Sequence, residues 1–364
     1  MKISVKRENL LAGLQTTSRM VKQRASLPVL GNVMLSSDKG RLKLAATDLE
    51  AAIVQRIGAK IDEDGAITVP ARTLFDYVST VTDDNLELVS EGADMSIKGS
   101  RQHVTMKGIS AEEFPIIPQV ETGKTVAIST EVFKSAVSSV IVAAALDETR
   151  PVLSGILFRA RKSELVLVAT DSYRLAEKII KLDSDAELDF VIPQKAMSEL
   201  LRVLPSSDEK IEISSGENQV QFNFADVEFI TRQIDGAFPD YEQIIPSEFI
   251  HEAIVLKNEF LEAIKMANIF AREAGGNIKI AASESGLVVS AVSSQTGDAE
   301  SHVKSSAKGT AIEVAFNARY VIDALNVMPS DEVIFALSGA LSAGMIFDKE
   351  DGSFRYIVMP LRNE

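Results

Sequence analysis

Segments of alternating apolar and polar residues run into stretches whose apolar residues fall three and four positions apart, and the pattern recurs along the chain. Residues 1–6 lead to Leu10, Leu14 and Val21; Val126-Ala127-Ile128-Ser129 leads to Phe133, Ala136, Val137, Val140 and Ala144; Ala253-Ile254-Val255-Leu256 leads to Phe260, Ala263, Ile264 and Ala267. The alternation predicts a strand, and the wider spacing predicts a helix with one buried stripe. Thr130 and Asn258 stand where helix N-caps are expected. Paired strand segments follow: Asn32-Val33-Met34-Leu35 with Arg41-Leu42-Lys43-Leu44, Gly155-Ile156-Leu157-Phe158 with Leu165-Val166-Leu167-Val168, and Asn277-Ile278-Lys279-Ile280 with Leu287-Val288-Val289. A second helix then opens on Val69-Pro70-Ala71-Arg72, on Ile192-Pro193-Gln194-Lys195 and on Phe316-Asn317-Ala318-Arg319. Further strands close each round, ending at Phe114-Pro115, at Phe238-Pro239 and at residues 354–360.

These landmarks keep one spacing. The Thr-Asp pairs at 47 and 170 are 123 residues apart, Arg72 and Lys195 are 123 apart, and the Phe-Pro pairs are 124 apart. Several independent markers with one period indicate an internal repeat, here three copies of one α+β plan with antiparallel strands and two helices on one face. The copies are expected at 1–121, 122–249 and 250–364, each of ordinary domain size.

Composition removes several chemistries. With no cysteine there is no disulfide, thiol nucleophile or Cys-ligated metal. His103, His251 and His302 stand apart, without metal-ligand or triad spacing, and no GxxxxGK or GxGxxG phosphate loop occurs. Asp62-Glu63-Asp64-Gly65 reads as a hairpin turn and not as a calcium loop. No cofactor and no metal are expected, and the chain does not read as an enzyme. The polar start carries no signal-peptide core, and the longest nearly apolar run, 137–146, is too short to span a bilayer, which suits a cytoplasmic protein.

The charge pattern adds a possible partner. A net charge of −14 argues against a broad basic surface. Basic residues nevertheless recur on the helices: Arg7, Arg19, Lys22, Arg24, Lys134, Lys265 and Arg272 near the first of each pair, and Arg72, Lys195, Arg202 and Arg319 on the second. Each alone reads best as a solvated helix face. If three like domains surround one axis, however, the aligned Arg72, Lys195 and Arg319 face a shared space suited to phosphates.

Taken in order, Leu27-Pro28-Val29-Leu30-Gly31-Asn32, Ala46-Thr47-Asp48-Leu49-Glu50, Thr68-Val69-Pro70-Ala71-Arg72, Ala169-Thr170-Asp171-Ser172-Tyr173-Arg174-Leu175-Ala176, Phe238-Pro239-Asp240-Tyr241 and Tyr356-Ile357-Val358-Met359-Pro360-Leu361-Arg362 give the chain a resemblance, over its whole length, to the bacterial DNA polymerase III β subunit, the sliding clamp. The resemblance implies a clamp fold of three similar domains. Two chains would join head to tail in a homodimeric ring, sheets outside and helices lining the hole, that encircles duplex DNA without sequence preference. It also implies the polymerase III α subunit, a clamp loader complex and other proteins with clamp-binding motifs as partners.

Carried over to this sequence, the DNA-facing residues would be Arg24, Arg72 and Lys195, with Arg319 added from the repeat and Arg202 from the helix face it shares with Lys195. A partner-peptide pocket would be built from Leu153, Thr170, Ser172, Tyr173, Arg174, Leu175, Pro239, Ile244, Val358, Met359, Pro360, Leu361 and Arg362. In it Arg174 and Arg362 would fix a polar peptide group, and Met359 would adapt to varied ligands. Subunit contact would use Val104 and Met106 of the last strand of domain one, and Ile269 and Phe270 of the first helix of domain three, as exposed apolar residues. The sequence departs from the family at Tyr173, where a His is common, at Gln243, at Pro151-Val152, where adjacent aromatics are usual, and in ending with Asn363-Glu364. The competing readings are a repeat-built peptide scaffold that never encircles DNA, and a hydrolase with an unrecognised site.

Overall fold

In a computed structural model, which describes residues 1–361 apart from 23–26, 119, 121–124, 148 and 208, the backbone pairs in the repeating way its sequence anticipates. Two compact units are distinguished by their internal packing: Met1–Phe133 with Lys195–Gln233, and Lys134–Gln194 with Ile234–Glu364. Among the described residues no helix is long and apolar enough to cross a membrane.

The first unit holds two antiparallel sheets. A five-stranded sheet runs in the order Ala59–Glu63, Lys2–Lys6, Asn85–Glu91, Asp94–Lys98, His103–Lys107. An eight-stranded sheet runs Thr125–Ser129, Lys210–Ser215, Gln219–Phe224, Val227–Arg232, Ala51–Ile57, Arg41–Thr47, Asn32–Asp38, Ala66–Pro70. In it Arg56 reaches across strands to Asp38 at 2.7 Å and Glu228 at 2.6 Å, an ion pair network on a half-buried face.

The second unit repeats the plan. Its seven-stranded sheet runs Gly155–Thr170, Arg174–Pro193, Phe354–Val358, Gly344–Asp348, Glu332–Leu337, His251–Leu256, Ser305–Gly309. Its four-stranded sheet runs Gly297–Val303, Gly286–Ser293, Asn277–Ser283, Ile312–Asn317. The period is visible in the register itself: Asn32 pairs with Pro70, Gly155 with Pro193, and Asn277 with Asn317. The ladder of Gly155–Thr170 has two parts, up to Lys162 and from Glu164, and Lys162 at the break adopts φ 53°.

Among the described residues six α-helices accompany the sheets: α1 Arg7–Thr17, α2 Ala71–Thr80, α3 Thr130–Val140, α4 Gln194–Val203, α5 Lys257–Ala271 and α6 Ala318–Val327. The expected stripes are buried. Leu10 and Leu14 of α1 and Leu74 and Val78 of α2 meet Ile3, Leu44, Leu88 and Ile97 in one core, and each such side chain contributes about 1.5–3 kcal/mol on burial. Phe133, Val137 and Val140 of α3 and Phe260, Ile264 and Ala267 of α5 are likewise fully buried.

Two expected caps differ. Thr130 lies inside α3 and donates to the carbonyl of Glu209, while the Ser129 hydroxyl accepts the Val132 N–H at 3.4 Å and does the capping. Asn258 also falls within its helix; Leu256 holds the cap position of α5 without a side-chain bond. In both places a short alternating strand runs directly into the helix, so the helix begins at or before the residue expected to cap it.

Candidate functional site

The Thr-Asp sequence at 170–171 builds a tight turn between strands Gly155–Thr170 and Arg174–Pro193. The Thr170 hydroxyl donates to the carbonyl of Arg174 at 2.6 Å and accepts the Ser172 N–H at 3.2 Å. One carboxylate oxygen of Asp171 accepts the N–H groups of Tyr173 at 2.9 Å and Arg174 at 3.0 Å. Ser172 is held at φ 77°, a left-handed conformation that a non-glycine residue adopts only when its surroundings fix it. The turn aims Tyr173 outward, 61% exposed, and Arg174 inward, 6% exposed.

Arg174 is tied on every side. Its guanidinium donates to Asp171 at 2.9 Å, to Asp323 of α6 at 2.5 Å and to the Tyr356 hydroxyl at 3.3 Å, and it lies over the ring of Tyr320 at 4.5 Å. Burial works against its charge, but Tyr356, Asp323 and Asp171 outweigh that and hold it protonated. The sequence reading gave Arg174 to a polar group of a bound peptide; here its Nε and Nη1 serve Asp171, Asp323 and Tyr356, while the residue also lines the cleft beside Tyr173. Rings of Tyr173 and Tyr320 stand nearly parallel at 20°, their centres 6.4 Å apart.

These side chains bound an open cleft of about 540 Å³, with Leu146, Arg150, Leu153, Asn317 and Arg319 also on its walls. Of the expected pocket residues it therefore gathers Leu153, Ser172, Tyr173 and Arg174. Thr170 lies beneath them as the anchor of the turn. Leu175 and Val358 are buried, 0% and 2% exposed, and are not among the residues lining this cleft. They lie on opposite faces of the sheet, Val358 beside Arg174 and Leu175 beside Ile357, and both faces are buried there.

Met359 packs against an adjoining apolar cluster of Leu157, Leu175, Tyr241 and Ile357. Pro239 and Ile244 are exposed on the segment that leads past that cluster, and Pro360 and Leu361 are half-buried. Arg362 lies outside the described residues. Sequence reasoning missed Asn317, Tyr320 and Asp323. The signal available was Tyr320, one of only five tyrosines, next to the aligned Arg319.

The echo at Thr47-Asp48 is the same turn. Thr47 donates to the carbonyl of Ala51 at 2.8 Å and accepts the Leu49 N–H at 3.1 Å, Asp48 accepts the N–H groups of Glu50 at 3.0 Å and Ala51 at 2.8 Å, and Leu49 has φ 78°. Its neighbouring strand repeats too: Arg232 N–H bonds Glu50 carbonyl at 3.0 Å as Met359 N–H bonds Tyr173 carbonyl at 2.9 Å. The cleft beside this turn is smaller, about 110 Å³.

The basic residues expected to face DNA are exposed where they are described. Arg72 stands on α2, 3.9 Å from Asp76; Arg202 on α4 pairs with Glu199 at 2.6 Å; Lys195 is at the start of α4. Each aligned cation has a carboxylate four residues on: Asp76, Glu199 and Asp323. Arg319 differs from the other two in lining the 540 Å³ cleft, 3.9 Å from Asp323. Arg24 lies outside the described residues.

Of the expected contact residues, Ile269 is 56% exposed and Phe270 half-buried on α5, where Met266 is exposed as well. Met106 is not exposed: it joins the core around α1 and α2, with Val104 packed partly against it. Both belong to strand His103–Lys107, where they point to the same, inner face. That strand and Gly297–Val303 are the outermost strands of their sheets.

Descriptions of three successive domains of one family match the chain in tandem: the DNA polymerase III beta subunit N-terminal domain over residues 1–118, its central domain over 127–240 and its C-terminal domain over 242–362. The chain belongs to the DNA polymerase III beta subunit family. Its function is that of a sliding clamp, an accessory subunit that makes a polymerase processive and is not itself catalytic. The beta sliding clamp of Staphylococcus epidermidis is 28% identical over 100% of this chain and 99% of that protein. The crystal structure of the Bacillus subtilis sliding clamp superposes with a TM-score of 0.96 at 27% identity, covering both chains in full. That of the Pseudomonas aeruginosa clamp, determined with griselimycin bound, gives 0.95 at 28% identity, again over both full chains. The three-domain clamp fold that the resemblance implied is thus the fold of this family member.

Proposed function

We propose that two copies of this chain close head to tail around duplex DNA and carry polymerase on the cleft beside Tyr173. The tandem match of all three clamp domains carries this reading. A heterologous contact closes into a ring when its rotation allows it. The open edges His103–Lys107 and Gly297–Val303 supply such a contact, one bearing Lys107 and the other Asp298 and Glu300. Ile269 and Phe270 add apolar area beside it.

Inside the ring, Arg72, Lys195 and Arg202 meet phosphates without reading sequence, with Arg24 and Arg319 assigned the same role from their positions in the chain. Retention is topological, so a few weak contacts suffice. Because α-helices present these cations singly, the acidic surface elsewhere does not oppose binding. The partner peptide lies against Tyr173 and Tyr320 and continues toward Leu153, Pro239, Ile244 and residues 359–361. The protein works in the cytoplasm, where polymerase and loader reach it.

The test is retention on DNA. Loaded by its ATP-driven loader on nicked circular DNA, the protein stays bound through gel filtration and is lost when the circle is cut. Equal retention on both forms rules out encirclement.

A further inference from the structure

The two Thr-Asp turns form an internal control. They share the threonine bond to the residue four positions on, both N–H bonds to the aspartate, the N–H bond to the threonine and a positive φ of 77° or 78°. At the position of Arg174 the first turn has Ala51. The turn therefore forms without a guanidinium, and the buried cation at 174 is not explained by the fold of the loop. Burying an ion costs several kcal/mol before its partners compensate, and such a pair is seldom kept for stability alone.

What Arg174 does is join the elements that bound the cleft. Asp171 belongs to the turn, Asp323 and Tyr320 to α6, and Tyr356 to strand Phe354–Val358. Among the described residues Asp171 and Tyr356 face one cation, Arg174, but a single oxygen of Asp323 faces two: Arg174 at 2.5 Å and the exposed Arg319 at 3.9 Å. Asp323 is thus the member that fixes Arg174 from the helix side. We propose that Asp323 is a positioning residue for partner recognition: through Arg174 it sets the placement of the stacked Tyr173 and Tyr320 rings that line the cleft where the partner peptide is held. This rests on the assignment of the cleft to partner binding. Asp323 touches no ligand itself; its carboxylate holds a donor that in turn holds both walls.

The experiment uses the full-length dimer as analyte and the immobilised polymerase III α subunit of the same organism as probe, in surface plasmon resonance. Asp323→Asn keeps the shape and removes the charge; it weakens binding about tenfold, mainly by faster dissociation, the scale of one charge-assisted hydrogen bond. Asp323→Glu, which restores the carboxylate, recovers most of that loss. Combined with Tyr173→Ala, Asp323→Asn adds little, because its effect passes through that wall. In protein labelled with 3-fluorotyrosine, the fluorine signals of Tyr173 and Tyr320 shift in Asp323→Asn without any partner present. If Tyr173→Ala leaves binding intact, the cleft itself is misassigned. If Tyr173→Ala abolishes binding while Asp323→Asn does not alter it, or if the two effects add in full, the positioning role is overturned.

Discussion

The main-chain N–H of Met359 donates to the carbonyl oxygen of Tyr173 over 2.9 Å, and two residues on Leu361 N–H donates to Ala315 carbonyl at 2.8 Å. Residues 359–361 are therefore stitched to the turn at 170–174 and to a strand of the four-stranded sheet. Deleting residues 359–364 removes both bonds and the Met359 contribution to the adjoining apolar cluster. Polymerase α-subunit binding falls by at least about tenfold, the loss expected when an anchor of a small interface goes. The dimer persists, because neither proposed edge strand is touched. Pull-down and sedimentation of the same preparation check both halves; unchanged pull-down refutes the assignment.

Charge reversal on the helices separates grip from encirclement. Arg72→Glu with Lys195→Glu lowers the salt dependence of DNA association, each lost phosphate contact reducing the log–log slope by about 0.9. Loading on nicked circles drops with it. Polymerase binding in the absence of DNA stays as it was, since neither residue lines the cleft. Titration of fluorescent duplex against sodium chloride gives the slope, and an unchanged slope places these residues off the DNA path.

Ile269 carries an unusual exposure for an aliphatic side chain on a helix. Ile269→Asp places a charge in the proposed seam and shifts the dimer to monomer, raising the dissociation constant by about tenfold or more, since an unpaired buried charge costs at least ~1.4 kcal/mol. Analytical ultracentrifugation across micromolar concentrations reads the change. Met106→Ala acts differently: it opens a cavity in the core and lowers the melting temperature of the fold, a loss of about 2–5 kcal/mol.

Asp348 gives a pH signature. It is buried and accepts the Ser330 hydroxyl at 2.5 Å together with the N–H groups of Ser330, Glu350 and Asp351. Burial alone pushes its carboxyl up, but these four bonds prevail and hold it below the ordinary carboxylate range. A depressed native pKa means the unfolded chain binds the proton first. The stabilisation is present above about pH 4 and is lost as pH falls through the native value. Thermal melts between about pH 5 and 2 show a steep decline that Asp348→Asn flattens, while the variant is less stable at neutral pH. Parallel curves for the two proteins contradict this.

Period and register were legible because they are set by residues the backbone must satisfy locally: Pro70 and Pro193 close a strand against Asn32 and Gly155, and the stripes of Leu10 and Phe260 need a core. The Thr-Asp turn was legible for the same reason, although its meaning split once its bonds were seen. What stayed hidden depends on long-range contact. Nothing near Arg174 in the chain announces that Asp323, 149 residues on, will hold it. Nor does the alternation of Val104 and Met106 say whether their shared face meets another chain or its own core; the helices α1 and α2 decide that. Val358 was read as pocket wall; that it is 2% exposed depends on what covers both faces of its sheet, the one it shares with Arg174 and the one shared by Leu175 and Ile357.

Each aligned cation is followed one helical turn later by an acid: Asp76 behind Arg72, Glu199 behind Lys195, Asp323 behind Arg319. A phosphate that approaches Arg72 must compete with a carboxylate already 3.9 Å away, so each contact is shallow and quickly exchanged. In the proposed ring the inner surface then acts as a bearing with little friction. The duplex is kept from leaving by the closed wall around it, and its translation meets only small, evenly spaced barriers.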